Sequence, residues 1–200
     1  MPHLENCTAS LIVAVPTYDH RAVIQSVLEL AATAELLHRP IRFVIGDGSS
    51  SPRARNTILE MLQQEFPDHP TLWMLWWNSD IVLFPGSAPV LSQAIPWAEA
   101  HQMCMVADPR GVHENTILHA TPALGSVSES SPSEDMPHPT SYPKTRLAGL
   151  GLAYLAQPLA YRFHADTVGE DLHFWWDHPT IHPHRIDSLP VGLRTPMVLV

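Results

Sequence analysis

The triplet Asn78-Ser79-Asp80 interrupts an apolar run, with Leu72-Trp73-Met74-Leu75-Trp76-Trp77 before it and Ile81-Val82-Leu83-Phe84 after it. A solvated loop needs no hydrophobic flanks, whereas a carboxylate presented at the end of a buried strand does. Such a carboxylate can hold a divalent cation that in turn binds a diphosphate. Acidic turns after strands are also common as plain turns, so the triplet gains meaning from its place in the fold. A second cluster, Gly46-Asp47-Gly48-Ser49-Ser50-Ser51-Pro52-Arg53-Ala54-Arg55-Asn56, sets two arginines and an asparagine in the first turns of a helix. Guanidinium groups and backbone N–H groups there can meet an anionic ligand; solvated arginines on a capped surface helix are the plainer reading. A third cluster places the adjacent carboxylates Glu170 and Asp171 before Leu172, Phe174, Trp175 and Trp176. Acidic residues in a first helical turn complement the helix dipole, or one of them is a general base held close to a substrate hydroxyl.

Histidines invite a metal hypothesis, because His164, His173, His178, His182 and His184 crowd the C-terminal region of a chain with 13 in all. The stretch His178-Pro179-Thr180-Ile181-His182-Pro183-His184 lacks the ligand spacing of a closed zinc site. Surface or single-ligand histidines are the simpler account.

The elements that must position these groups follow from periodicity. Ser10–Val15 is a short β-branched run closed by Pro16, which predicts a buried strand. Val23, Val27, Leu30, Ala31, Ala34 and Leu37 recur at helical spacing over 21–37 and predict a helix with one packed face. Ile41–Gly46 is a second strand. Ser51 is then the expected cap of a helix with Pro52 at its first position, carrying Ile58, Leu62 and Phe66 inward. Thr71–Trp77 is a third strand, 88–102 a helix bent by Pro96, and Met103–Asp108 a fourth strand. Alternating strands and helices with short connections imply right-handed crossovers and a mostly parallel sheet flanked by helices. Ligands of such sheets gather at the carboxyl ends of the strands. Pro16-Thr17-Tyr18-Asp19-His20, Gly46–Ser51 and Asn78–Asp80 all fall at those ends.

Residues 111–146 are rich in Ser, Pro, Glu and His without periodicity and are expected to be a long flexible loop inserted in a single domain spanning 1–200. The net charge of -9, from 11 basic against 20 acidic residues, argues against a nucleic-acid partner. No apolar run is long enough to span a bilayer and the N-terminus lacks the pattern of a signal peptide, so a cytoplasmic protein without an integral membrane segment is expected. Cys7 and Cys104 form no metal motif and read as free thiols. A Rossmann-like dehydrogenase is the weaker reading, since no G-x-G-x-x-G follows the first strand.

Taken together, the clusters resemble the nucleotide-sugar-dependent glycosyltransferases of the GT-A fold, in the family-2-like style. Val13–His20 looks like the opening strand and its loop, Ile45–Ser51 is similar to the "VDDGSTD" segment, and Arg53–Asn56 resembles the arginine-asparagine segment after it. Trp76–Phe84 takes the place of the metal-binding DxD motif, Leu147–Leu155 that of the glycine-bearing strand beside the acceptor, and Gly169–Asp177 that of the "EDxxf" motif. The order holds over most of the chain, with 111–146 unmatched. The resemblance implies a Rossmann-like, mostly parallel α/β sheet and transfer of a sugar from a nucleotide-diphosphate donor to a glycan, lipid or protein hydroxyl, with inversion.

It assigns donor binding to Pro16, Tyr18, Asp47, Arg53, Arg55, Asn56, Asn78 and Asp80, with Tyr18 and Asp47 toward the nucleobase. Asp80 would hold Mn²⁺ or Mg²⁺, Asp171, with Glu170 beside it, would be the catalytic base, and Gly149, Gly151, Trp175 and Trp176 would lie on the acceptor side. The chain departs from the family at Asn78, where the motif has its first aspartate. His182, His184 or Asp187 would then supply a further metal ligand. Two rival readings come from the residues themselves: a sugar-nucleotide or glycan binder without catalysis, and a His-dependent metal phosphoesterase.

Overall fold

The computed structural model describes residues 10–17, 24–107, 150–164, 170–178, 181, 183–186 and 188–193. The expected long loop at 111–146 lies outside them. In chain order the elements are β1 (Leu11–Thr17), α1 (Ile24–Leu36), β2 (Ile41–Asp47), α2 (Ser51–Glu65), β3 (Thr71–Trp77), β4 (Ile81–Leu83), α3 (Ser87–His101), β5 (Cys104–Val106), β6 (Leu152–Pro158), α4 (Glu170–Asp177), β7 (Pro183–Arg185) and β8 (Val191–Leu193). Six strands form one sheet in the order β2-β1-β3-β6-β5-β7, and β4 pairs with β8 in a separate ribbon. β1 runs parallel to β2 and β3, and β5 parallel to β7, while β6 is antiparallel to both of its neighbours. The expected mostly parallel α/β sheet flanked by helices is the observed one.

Both faces of the sheet are covered, which is why its strands read as continuous apolar runs. Leu11, Val13, Val15, Leu75 and Trp77 point to one face and pack with Leu30 and Ala34 of α1 and Leu91, Ala94, Ile95 and Ala98 of α3. Ile12, Ala14, Leu72, Met74 and Trp76 point to the other, against Ile58, Leu59 and Leu62 of α2 and Phe174 and Trp175 of α4. The alternation is the period of two expected of a strand. Among the described residues no helix is long and apolar enough to cross a membrane. Cys104 is a buried free thiol, and burial raises its pKa; Cys7 lies outside the described residues.

Several local expectations shift. The run Ile81–Leu83 does not continue β3; it leaves the sheet as β4 and is fully buried against β8. The inward face of α1 is Ser26, Leu30, Thr33 and Ala34, whereas Ala31 is exposed. Ser26 is inside because its Oγ accepts from the Leu83 N–H at 2.9 Å and donates to the Ile81 carbonyl at 3.4 Å, docking α1 on β4. The cap of α2 is Ser50, one residue before the expected Ser51, and Pro52 stands within the first turn.

On the α1/α3 face a polar group ties three elements together. Arg39, in the turn entering β2, donates from Nη1 to Glu99 Oε1 at 2.7 Å and from Nη2 to Glu99 Oε2 at 2.6 Å. The Tyr154 hydroxyl of β6 donates to the same carboxylate, and its ring stacks on Trp73 at 5.3 Å. Burial alone would push the Glu99 carboxyl up, but the hydrogen bonds from Arg39 and Tyr154 and the charge of Arg39 outweigh it and hold the carboxyl below its ordinary value. A depressed folded-state value means that the ionised carboxylate contributes stability above the ordinary carboxylate range, and that this is lost as pH falls through the folded-state value. Glu99→Gln is therefore expected to cost about 1–3 kcal/mol at neutral pH. The gap to wild type should narrow as the solution is acidified below the ordinary carboxylate range, read by urea unfolding across a pH series.

Candidate functional site

Parallel strands that start together end together. Thr17 of β1 stands in register with Asp47 of β2, and Ala14 of β1 with Trp76 of β3, so the ends of all three strands share one edge. The reversed direction of β6 brings its beginning to that edge, with Leu152 opposite Trp77. The Asn78 N–H then donates to the Gly151 carbonyl at 2.7 Å. Across the sheet the rim reads Asp47, Thr17, Asn78, Gly151.

The turn after β3 is fixed from below. The Ile81 N–H donates to the Asn78 carbonyl at 2.9 Å, and the indole N–H of buried Trp77 donates to the Ile81 carbonyl at 2.8 Å. Ser79 is buried in this turn and Asp80 is exposed. Glycines let α2 press on the rim. A Cβ at Gly46 would stand 2.2 Å from the Ala54 carbonyl oxygen, and one at Gly48 would stand 2.6 Å from the Ala54 nitrogen. The Gly-Asp-Gly pattern thus serves the approach of the helix as well as the exposed carboxylate of Asp47.

Arg55 is the central group. Its side chain is fully buried, with the guanidinium carbon 4.8 Å from the Trp76 ring centroid and 5.3 Å from that of Phe163. Its Nη2 donates to Asn78 Oδ1 at 3.1 Å. Arg53, two residues earlier, is exposed. Asn56 clamps the backbone of a distant segment: its Nδ2 donates to the Phe163 carbonyl at 2.9 Å and its Oδ1 accepts from the Phe163 N–H at 2.7 Å. Phe163 in turn packs edge-on against Trp76 and stacks on Phe174 at 5.9 Å, so α4 is seated on the face where α2 lies. The Tyr161 hydroxyl donates to Asp177 Oδ2 at 3.1 Å, and burial, followed by this carboxylate, pushes its phenol above the ordinary range.

The sequence-predicted residues divide accordingly. Pro16, Asp47, Asn78 and Gly151 stand along the sheet edge, with Pro16 buried inside β1; Arg55 reaches Asn78 from α2, Asp80 follows in the exposed part of the turn, and Asn56 faces Phe163. Glu170 and Asp171 open α4, and their side chains, like that of Trp176, lie outside the described residues, as do Tyr18, Gly149, His182 and Asp187. Trp175 is a core residue against Phe174, not an open wall. His184 sits in β7, buried edge-on against Trp97 of α3. Three strand spacings, about 14 Å, separate β7 from β3 in the sheet order.

Among the described residues no group of three or more His, Cys, Asp or Glu could hold a metal ion. Asp80 is exposed in the turn after β3.

No protein-family model matches the chain, and no curated protein matches it. Among solved structures it is similar to the crystal structure of a glycosyltransferase involved in the glycosylation of the major capsid of PBCV-1. That similarity has a TM-score of 0.48 and 11% identity, over 89% of this chain and 82% of the other.

Sequence reasoning missed Phe163 and Ser26. Phe163 lies in an aperiodic segment, and its bond to Asn56 spans 107 positions, a separation no local pattern reports. Asn56→Ala removes both halves of this clamp and leaves the Phe163 backbone unpaired. It is expected to lower stability by about 1–3 kcal/mol in chemical denaturation.

Proposed function

We propose that this chain transfers a sugar from a nucleotide-diphosphate sugar to a hydroxyl acceptor of a glycan, lipid or protein, in the manner of GT-A-type glycosyltransferases. The observation that carries the reading is the convergence of Asp47, Asn78 and Asp80 on one sheet edge beside the start of α2. Ligands of open α/β sheets bind at such an edge. Asp47 is exposed at the end of β2, as a group reaching a nucleobase must be.

In this reading Asp80 would hold Mn²⁺ or Mg²⁺. When bound, the cation supplies charge neutralisation to the departing diphosphate. Asp171, in the first turn of α4, takes the proton of the acceptor hydroxyl as its oxygen bonds to the anomeric carbon. The bond from that carbon to the diphosphate oxygen breaks on the opposite side, giving inversion. The docking of Phe174 on Phe163 supports the placement of α4 beside the donor edge.

A second reading, a sugar-nucleotide binder without turnover, is favoured by one feature: Asn78 is neutral and its oxygen already accepts from Arg55. Thermal unfolding with UDP, GDP, CDP and TDP, each with and without Mn²⁺, tests the donor site. A nucleotide at about a hundred times its dissociation constant stabilises by roughly 2.7 kcal/mol. One base should give a shift that Mn²⁺ enlarges, and no shift with any of the four would overturn the reading. With a turning-over donor, Asp171→Asn should lower kcat by about a hundredfold or more while nucleotide binding persists. Unchanged turnover would remove Asp171 from its role, and binding without turnover in wild type marks the second reading.

A further inference from the structure

We propose that Asn78 meets the ligand as a hydrogen-bond donor, locked in that sense by Arg55, which makes Arg55 a positioning residue of the nucleotide site. The inference rests on the functional reading above and deepens it. The oxygen and nitrogen of an asparagine amide are alike in shape, so partners decide which way it faces. Arg55 carries donors alone, so the atom it meets at 3.1 Å has to be Oδ1. The guanidinium cannot swing aside, because it is buried between the rings of Trp76 and Phe163.

The amide nitrogen occupies the other side of the plane. Among the described residues it donates no hydrogen bond, and Asn78 is partly exposed. Gly151 lets its neighbours pack close: a Cβ there would lie 2.8 Å from Ile81 Cδ1 and 3.4 Å from Nδ2. Residue 78 therefore turns its N–H group away from Arg55 and spends one lone pair of its oxygen on the guanidinium. Its complement is an acceptor oxygen of the nucleotide, on the phosphate or on a ribose hydroxyl.

The consequence runs against the simple view that an aspartate here would complete a metal site. In Asn78→Asp the new carboxylate stands against Arg55 and forms an ion pair with it, while the N–H donor is gone. Cation binding stays with Asp80.

The test measures Mn²⁺ affinity by electron paramagnetic resonance without nucleotide, and UDP, GDP, CDP and TDP affinity by calorimetry with Mn²⁺ or with chelator. Asn78→Asp should keep Mn²⁺ affinity within about twofold of wild type and lose about tenfold in nucleotide affinity, and Asn78→Ala should lose a similar factor. In an Arg55→Met background, Asn78→Asp should gain about tenfold in Mn²⁺ affinity, a change that a merely structural arginine would not produce. If that double variant does not fold, the single variants decide. Nucleosides in place of diphosphates separate the two oxygens. A penalty that persists with the nucleoside places the bond on the ribose, and one confined to the diphosphate places it on phosphate. Tighter Mn²⁺ binding by Asn78→Asp alone, or undiminished nucleotide binding, overturns the inference. Should wild type bind none of the nucleotides, the functional reading fails while the Mn²⁺ titrations still judge the orientation of residue 78.

Discussion

A guanidinium removed from water must be compensated by its surroundings, and in this protein that requirement organises one whole side of the sheet. Burying a charge without partners is among the costliest things a fold can do. Part of that compensation comes to Arg55 from the oxygen of Asn78 and from the faces of two aromatic rings, Trp76 and Phe163. Each partner belongs to a different piece of chain: Trp76 to β3, Asn78 to the turn after it, Phe163 to the segment after β6. The cation thus fixes the distance of α2 from the sheet, and Gly46 and Gly48 supply the room for that approach.

From this contact the order spreads outward. Phe163 is gripped by Asn56 through both of its backbone polar groups and carries Phe174, so the position of α4 is set by the helix that holds Arg55. The start of α4 is thereby tied to the same frame as the ends of the parallel strands. An enzyme of the proposed type needs this, because a base must meet an acceptor while the donor is held by other elements. The opposite face is built differently. There Arg39, Glu99 and Tyr154 join the entry to β2, the end of α3 and the middle of β6, on the side where Leu30 and Leu91 pack.

The antiparallel β6 is the second constraint. A parallel strand in its place would have put its own carboxyl end at the rim. Reversed, it delivers a beginning, and Gly151 comes to lie against the Asn78 backbone. The turn at Asn78–Asp80 is then also the point where the chain leaves the sheet. Ile81–Leu83 stay apolar because they are buried with β8 and under Ser26, not because they prolong β3.

By itself the sequence determined the elements that repeat locally. The β-branched runs of β1 and β2, the helical spacing of α2 and the strand-end positions of Asp47 and Asn78–Asp80 are periodic or punctuated within a few residues, and short-range sterics and patterning decide them. Tertiary structure alone decided the direction of β6, the departure of β4 to pair with β8, the turning inward of Ser26 and the burial of Arg55. It also set His184 apart from Asp80 and gave Asn56 a partner from a distant segment. His184 is held against Trp97 across the sheet, and Phe163, absent from any motif, proved to be what Asn56 binds. The physical reason is the same in each case. A polar side chain in a helix or turn can be solvated or buried with equal local propensity, and only the partners that the fold brings from distant positions make burial the lower free energy.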